Sequence, residues 1–206
     1  DADRGLLADA NGRLLDGDAI LAGLTPLLQK KGVLAGKTVV ATVMSNLALE
    51  RAVEAAGCAL FRTPVGDRHV AAAMRTQGWN LGGEKSGHIL FGEEHGFRGD
   101  GLYTLLNVLD ALGGQSLTSF APAYQDFPQE LVNLPVSSKP PLESLVGLTQ
   151  AMQEAESLLG EEGRIVVRYS GTETKLRLMV EATSQALVDQ AQALLQTAVM
   201  DDGILS

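Results

Sequence analysis

The stretch Gly82-Gly83-Glu84-Lys85-Ser86-Gly87-His88 packs four polar side chains among three glycines. Glycine has no Cβ, so the backbone can turn tightly or approach a ligand closely. Glu84 supplies carboxylate acceptors, Lys85 a cation, Ser86 a hydroxyl that donates and accepts, and His88 an imidazole. That mixture suits sugar hydroxyls, each of which needs partners of both kinds. The plainer alternative is a polar hairpin loop with no ligand. A second donor-rich stretch is Arg168-Tyr169-Ser170-Gly171-Thr172-Glu173-Thr174-Lys175. Arg168 offers a planar fork that can hold phosphate bidentately. Ser170, Thr172 and Thr174 add hydroxyls, and the N–H groups around Gly171 can form an anion-binding nest. A bare turn needs only Gly and Asn or Asp, so this density of donors favours phosphate binding over a simple hairpin tip.

Two further groups could do chemistry. Asp1 and Asp3 stand one residue apart, so a tight loop can turn both carboxylates toward one point. Hard divalent cations such as Mg2+ favour such oxygen donors. Two carboxylates make an incomplete cage, and a solvated acidic terminus is the alternative. Gly66-Asp67-Arg68 follows an apolar run, where ligands gather beyond the carboxyl ends of parallel strands. Its alternative is a surface helix start with Asp67 as N-cap. His95 and Arg98 lie in the polar loop from Gly92 to Gly101 and are expected to be solvated. Cys58 has no disulfide partner and an apolar context, Ala55-Ala56-Gly57-Cys58-Ala59-Leu60-Phe61, so it reads as core.

Composition narrows the classes. The chain has 206 residues, 45% hydrophobic and 20% charged, enough for one large domain or two small ones. A net charge of −9 argues against a nucleic-acid partner, although a basic pocket can still exist inside an acidic protein. No apolar run approaches the roughly 20 residues of a membrane span, so no membrane partner is expected. One cysteine and no signal peptide point to the cytoplasm. A start at Asp1-Ala2-Asp3-Arg4, inside an acidic motif, reads as a piece of a longer protein.

The elements that must position these groups are legible from periodicity and punctuation. Leu6-Leu7-Ala8 and Leu14-Leu15 flank an Asn11-Gly12 turn. A helix over 18–30, capped by Asp16 or Asp18, follows, with Pro26 its weak point. Lys37 to Met44 reads as a buried strand, 47–56 as a helix behind Ser45-Asn46, and Cys58 to Phe61 as a second strand. Strand, helix, strand in so short a span is a parallel βαβ unit. A short helix near 68–76 and a helix from Leu102 to Leu112, capped by Asp100, complete this part. Five of seven prolines (Pro122, Pro128, Pro135, Pro140 and Pro141) then mark a linker. Beyond it a strand near Leu131, a helix over 145–159, strands at 164–168 and 175–181 and a last helix give the order β-α-β-β-α. The expected fold class is α/β: a mixed-sheet βαβ domain, then a small α+β C-terminal domain. The expected divisions are 1–15, the tail of a preceding domain with a partial metal loop; 16–120, a sugar-binding domain; and 121–206, a phosphate-binding domain.

With these residues in place the chain resembles the α-D-phosphohexomutases. Asp1-Ala2-Asp3-Arg4 is similar to the tail of their metal loop, Gly83-Glu84-Lys85-Ser86-Gly87-His88 to their sugar-binding loop, and Arg168-Tyr169-Ser170-Gly171-Thr172-Glu173 to their phosphate-binding loop. Order and spacing match over essentially the whole chain. Thr63-Pro64-Val65-Gly66-Asp67-Arg68-His69-Val70 and Phe127-Pro128-Gln129-Glu130-Leu131-Val132-Asn133 look like the bacterial phosphoglucosamine mutases within that superfamily. The resemblance implies interconversion of glucosamine 6-phosphate and glucosamine 1-phosphate, through a phosphoserine and a bisphosphate, upstream of UDP-N-acetylglucosamine. It implies Mg2+ held by Asp1 and Asp3, with Arg4 steadying the loop or the transferring group. It also implies Glu84 and Ser86 on sugar hydroxyls, Gly66, Asp67 and Arg68 nearby, and His88 as a proton-transfer or electrostatic partner. Arg168, Ser170, Gly171 and Thr172 would grip the phosphate that is not reacting. Tyr169 and Thr174 depart from the family's usual residues without removing a donor. The family's Ser-x-His-Asn-Pro-type phosphoserine stretch is absent, as is the first metal aspartate, so this piece is expected not to turn over and to need the N-terminal domains of the same protein. The alternatives are a phosphomannomutase or phosphoglucomutase, or a non-catalytic sugar-phosphate-binding module.

Overall fold

In the computed structural model, residues 1–121 and 124–206 are described, so Pro122 of the expected linker lies outside the described residues. The chain divides into a unit of Asp1–Asp126 and a unit of Phe127–Ser206.

The first unit opens with a small hairpin, β1 (Leu7–Ala8) antiparallel to β2 (Leu14–Leu15). Asp9 closes it, accepting through Oδ1 from the N–H groups of Asn11 at 2.9 Å and Arg13 at 3.0 Å. Helix α1 (Gly17–Lys31) is capped by Asp16, whose Oδ1 accepts from Ala19 N at 3.0 Å. That side chain satisfies one of the N–H groups a helix start leaves open. Asp18, the other expected cap, is instead buried in the first turn. Pro26 does not end the helix: Ile20, Leu21 and Leu24 are fully buried ahead of it, and that packing outweighs the lost N–H donor.

Strand β3 (Thr38–Thr42) is buried along its whole length, as a central parallel strand covered on both faces should be. It is followed by α2 (Leu47–Ala55), capped by Asn46, and by β4 (Ala59–Thr63), which pairs with β3 in parallel from Thr38↔Ala59 to Thr42↔Thr63. The βαβ unit is therefore present, its second strand reaching two residues beyond the expected end. Helix α3 (Asp67–Gln77) has Gly66 at its cap position with no side-chain capping bond. Asp67 is already the first helical residue, so the alternative in which it caps the helix is not realised. Strand β5 (Leu81–Gly83) pairs in parallel with β3 and antiparallel with β6 (Ile89–Phe91), giving a mixed sheet of order β4-β3-β5-β6. Helix α4 (Gly101–Leu112) is capped by Asp100. Alternation along β3 splits the packing between the two faces. Val39 and Ala41 join Leu21, Leu49, Val53 and Val108, while Val40 packs with Val70, Met74 and Leu90 of α3 and β6.

The second unit holds β7 (Gln129–Pro135), α5 (Val146–Leu159), β8 (Gly163–Tyr169), β9 (Lys175–Ala182) and α6 (Gln185–Asp201). Its sheet is antiparallel in the order β7-β9-β8. Leu176, Leu178 and Val180 of β9 pack with Leu148, Leu159, Val188 and Leu195 of the two helices. Lys175 and Arg177 alternate onto the opposite face. The architecture is mixed α/β with an antiparallel C-terminal sheet, as expected. Cys58 is buried and free, and burial raises its thiol pKa. Among the described residues no helix is long and apolar enough to cross a membrane.

Candidate functional site

The turn between β5 and β6 is the 84–88 loop, closed by Glu84 N donating to His88 O and Gly87 N donating to Glu84 O, each at 3.0 Å. Two neighbours clamp it from outside. Gly5 N donates to Gly87 O at 2.9 Å, and Gly17 N, at the start of α1, donates to Lys85 O at 3.0 Å. Gly17 has to be glycine here, because a Cβ would lie 1.9 Å from Glu84 O. Glu84 turns its carboxylate across to the next loop, where Oε1 accepts from Gly66 N at 3.1 Å.

His88 is buried at 8% exposure, its ring laid against Gly99, where a Cβ would be 1.7 Å from a ring carbon. Three carboxylates surround the imidazole: Asp3 Oδ2 at 3.8 Å from Nε2, with Glu84 Oε2 at 3.9 Å and Asp67 Oδ2 at 4.0 Å from Nδ1. Asp3, Asp67, Glu84 and His88, drawn from three separate stretches, therefore converge. Gly101 N donates to Ala2 O at 2.9 Å, which fastens the first residues to the start of α4. Arg4, Ser86 and Arg68 are exposed, and Arg68 Nε reaches His69 Nε2 at 3.3 Å. His95 differs from its expected solvated state. It is half-buried, stacked on Tyr103 at 3.9 Å between ring centroids, with Nε2 3.4 Å from Asp100 Oδ2. Arg98 is exposed, as expected.

Asp1 is exposed and Asp3 half-buried, with Ala2 between them in a left-handed conformation at φ 60°. Their donor type fits Mg2+, which takes one or two carboxylates and completes its shell with water and phosphate oxygens. The described residues contain no group of three or more ligating side chains that could hold a metal ion alone.

Lys85 does something the sequence did not disclose. Its ammonium pairs with Asp126, and lies 3.6 Å from Asp16 Oδ2 and 3.8 Å from Asp18 Oδ2. Tyr124 OH donates to Asp126 Oδ1 at 2.7 Å. Burial disfavours the Lys85 charge, but Asp126, Asp18 and Asp16 outweigh it and raise its pKa. Lys85 is thus a tether that holds the loop in place. Asp18, with no exposed surface, accepts from Asn46 N at 2.8 Å. Burial pushes its pKa up to about 7, against the opposing pull of the Asn46 N–H, Ser45 and Lys85.

The second loop joins β8 to β9. Ser170 is buried at 2% exposure; its N–H donates to Lys175 O at 2.9 Å, and its Oγ accepts from Glu173 N at 3.2 Å and Arg177 Nη2 at 3.3 Å. Arg168 is the cross-strand partner of Arg177, and burial, then the Arg177 charge, lower its pKa. Glu173 accepts from Lys175 Nζ at 2.5 Å and Arg177 Nη2 at 3.2 Å. Lys139 Nζ donates to Ser170 O at 2.6 Å. Gly171, Thr172 and Thr174 are exposed at the tip, and Tyr169 packs toward the hydrophobic core instead of the loop. Four cations, Lys139, Arg168, Lys175 and Arg177, thus flank the Ser170 loop, two of them paired with Glu173, in a chain whose net charge is −9. A cluster of this composition is suited to an anion. Arg177 was recoverable from the alternation of β9, since Lys175 and Arg177 share a face. Lys139 carries no local signal.

The phosphoglucomutase/phosphomannomutase α/β/α domain III matches residues 16–130, and the C-terminal domain of the same family matches residues 131–197. A phosphoglucosamine mutase of Anaeromyxobacter sp. (strain Fw109-5) is 48% identical over 185 residues, 89% of this chain and 39% of that protein. Among solved structures, the N-acetylphosphoglucosamine mutase of Aspergillus fumigatus superposes with a TM-score of 0.76 at 25% identity, over 98% of this chain and 47% of that one. The same fungal enzyme in complex with GlcNAc-6P and magnesium superposes with a TM-score of 0.72 at 24% identity, over 97% of this chain and 50% of that one. The chain spans about two-fifths of the length of the curated relatives it matches, 39% to 44%. With domain matches running from residue 16 to residue 197, the chain belongs to the phosphoglucomutase/phosphomannomutase family and carries its domain III and its C-terminal domain.

Proposed function

We propose that the chain is the sugar- and phosphate-binding part of a phosphoglucosamine mutase, which interconverts glucosamine 6-phosphate and glucosamine 1-phosphate through a phosphoserine and a sugar bisphosphate. The observation that carries this reading is the cationic 168–177 loop built around a buried Ser170. Relatives named phosphoglucosamine mutase, at 41% to 48% identity, support the amino-sugar substrate.

Phosphoryl transfer asks the protein mainly for positioning and charge neutralisation. Arg168, Ser170, Gly171 and Thr172, joined by Arg177, hold the phosphate that is not reacting. Glu84 and Ser86 take sugar hydroxyls, and Gly66, Asp67 and Arg68 form the adjoining rim. His88, ringed by Asp3, Glu84 and Asp67, is placed to hold or pass a proton at a sugar oxygen. Arg4 adds positive charge beside the transferring group. Asp1 and Asp3 would hold Mg2+, which supplies charge neutralisation at phosphate oxygens when bound. The sequence contains no Ser-x-His-Asn-Pro-type stretch, so the chain by itself binds its ligand without turning it over. The phosphoserine would come from the N-terminal domains of the same protein. A reaction feeding nucleotide-sugar synthesis places it in the cytoplasm.

Substrate identity is tested by competition. Glucosamine 6-phosphate and mannose 6-phosphate are titrated into the chain in parallel. The amino sugar is expected to bind more tightly; equal or reversed affinities would favour a phosphomannomutase or phosphoglucomutase instead.

A further inference from the structure

Lys139 belongs to none of the motifs, yet its ammonium rests on the phosphate loop. Nζ donates to the carbonyl of Ser170 at 2.6 Å, the residue whose hydroxyl is held by Arg177. An ammonium has three N–H donors, and this contact uses one. The backbone presents Lys139 firmly. Val136, buried at 2%, donates its N–H to Thr174 O at 3.2 Å, and Ser137 bonds Ile204 O through N at 2.9 Å and Oγ at 3.2 Å. Pro140 and Pro141 follow, and the residue before a proline is confined to extended conformations. Charge bookkeeping around the loop is uneven. Lys175 and Arg177 are both engaged by Glu173, whereas Lys139 and Arg168 have no carboxylate partner among the described residues.

We propose that Lys139 is a binding residue of the phosphate loop, which favours the dianion of a phosphate monoester over its monoanion. The inference rests on the phosphate reading of the 168–177 loop and adds to it a residue about 30 positions upstream. A phosphate monoester gains its second charge near pH 6, so a cation that reads that charge should matter more above this pH than below it. The groups facing the site from β8, β9 and the loop are Arg168, Lys175, Arg177 and Glu173, and Lys175 holds the Glu173 carboxyl below its usual pKa. The three histidines of the chain, at 69, 88 and 95, all lie in the other unit.

The test uses Lys139→Gln, which keeps a donor for the Ser170 carbonyl but loses the charge, and Lys139→Arg, which keeps both. Glucosamine 6-phosphate is titrated into each at about pH 5.5 and about pH 7.5, on either side of that ionisation. At the higher pH the Gln variant should bind about tenfold more weakly than wild type and the Arg variant within about twofold of it. At the lower pH the Gln deficit should shrink. A Gln variant that matches wild type at the higher pH, or a deficit equal at both, overturns the role of Lys139 while leaving the loop as a phosphate site. No binding by the wild-type chain overturns both.

Discussion

Gly17→Ala is expected to destabilise the first unit by about 3 kcal/mol or more, enough to bring its unfolding to a visibly lower denaturant concentration. The new methyl would stand 1.9 Å from Glu84 O and 2.9 Å from both Glu84 C and Gly87 N. These are backbone atoms, so no flexible side chain can swing aside. The helix start cannot retreat either. Gly17 N donates to Lys85 O, Asp16 caps the same turn and Asp18 anchors to Asn46 N. Relief must therefore come from moving the 84–88 loop, with loss of at least one of these bonds. Gly171→Ala provides the contrast, since no atom lies within 4 Å of its Cβ position, and it should alter stability by less than about 0.5 kcal/mol. Urea unfolding of both variants distinguishes them. A Gly17→Ala chain as stable as wild type would contradict the described seating of the loop on α1.

The second large effect is a pH dependence centred on Asp18. In the unfolded chain its carboxyl ionises near 3.8, and in the fold burial pushes that up to about 7. Between those values the folded state holds a proton that the unfolded state has released. Stability from this group therefore falls as pH rises from about 4 to about 7, and levels off above. The shift corresponds to a loss on the order of 4 kcal/mol across that window. Asp18→Asn keeps an oxygen to accept the Asn46 N–H and carries no charge. It should be more stable than wild type at about pH 8 and should lack the wild-type decline between about pH 4 and 7. Melting temperatures across that range decide the matter. Parallel curves for the two proteins would show that Asp18 is ionised throughout.

The lesson for reading such a chain lies in which links were local. Asp16, Asn46 and Asp100 cap their helices where the sequence places Asp or Asn ahead of an apolar repeat, and all three side chains make the bond. The βαβ unit was equally legible, because a buried parallel strand is a run of β-branched residues and needs no knowledge of its partner. The failures involve distance along the chain. Lys85 looked like a ligand-facing cation within its heptad, but its partners at 16, 18 and 126 come from two other segments. Lys139 meets Ser170 because β7 and β8, the strands that precede them, both pair with β9. His95 was expected in solvent because its neighbours are charged, while the ring that covers it, Tyr103, belongs to the helix beyond the loop. Arg177 is the intermediate case, legible once β9 is read with a period of two.

The proposed binding of phosphate by the 168–177 loop is tested most directly by calorimetric titration of the chain with glucosamine 6-phosphate, repeated on Arg168→Ala. Wild type is expected to bind, and the variant to lose at least about tenfold in affinity, since a charge-assisted bond to phosphate is removed while the fold keeps Ser170 in place. Equal affinities in two folded proteins would mean that the cations gathered around Ser170 serve the hairpin alone, and would contradict the assignment of this loop to the phosphate.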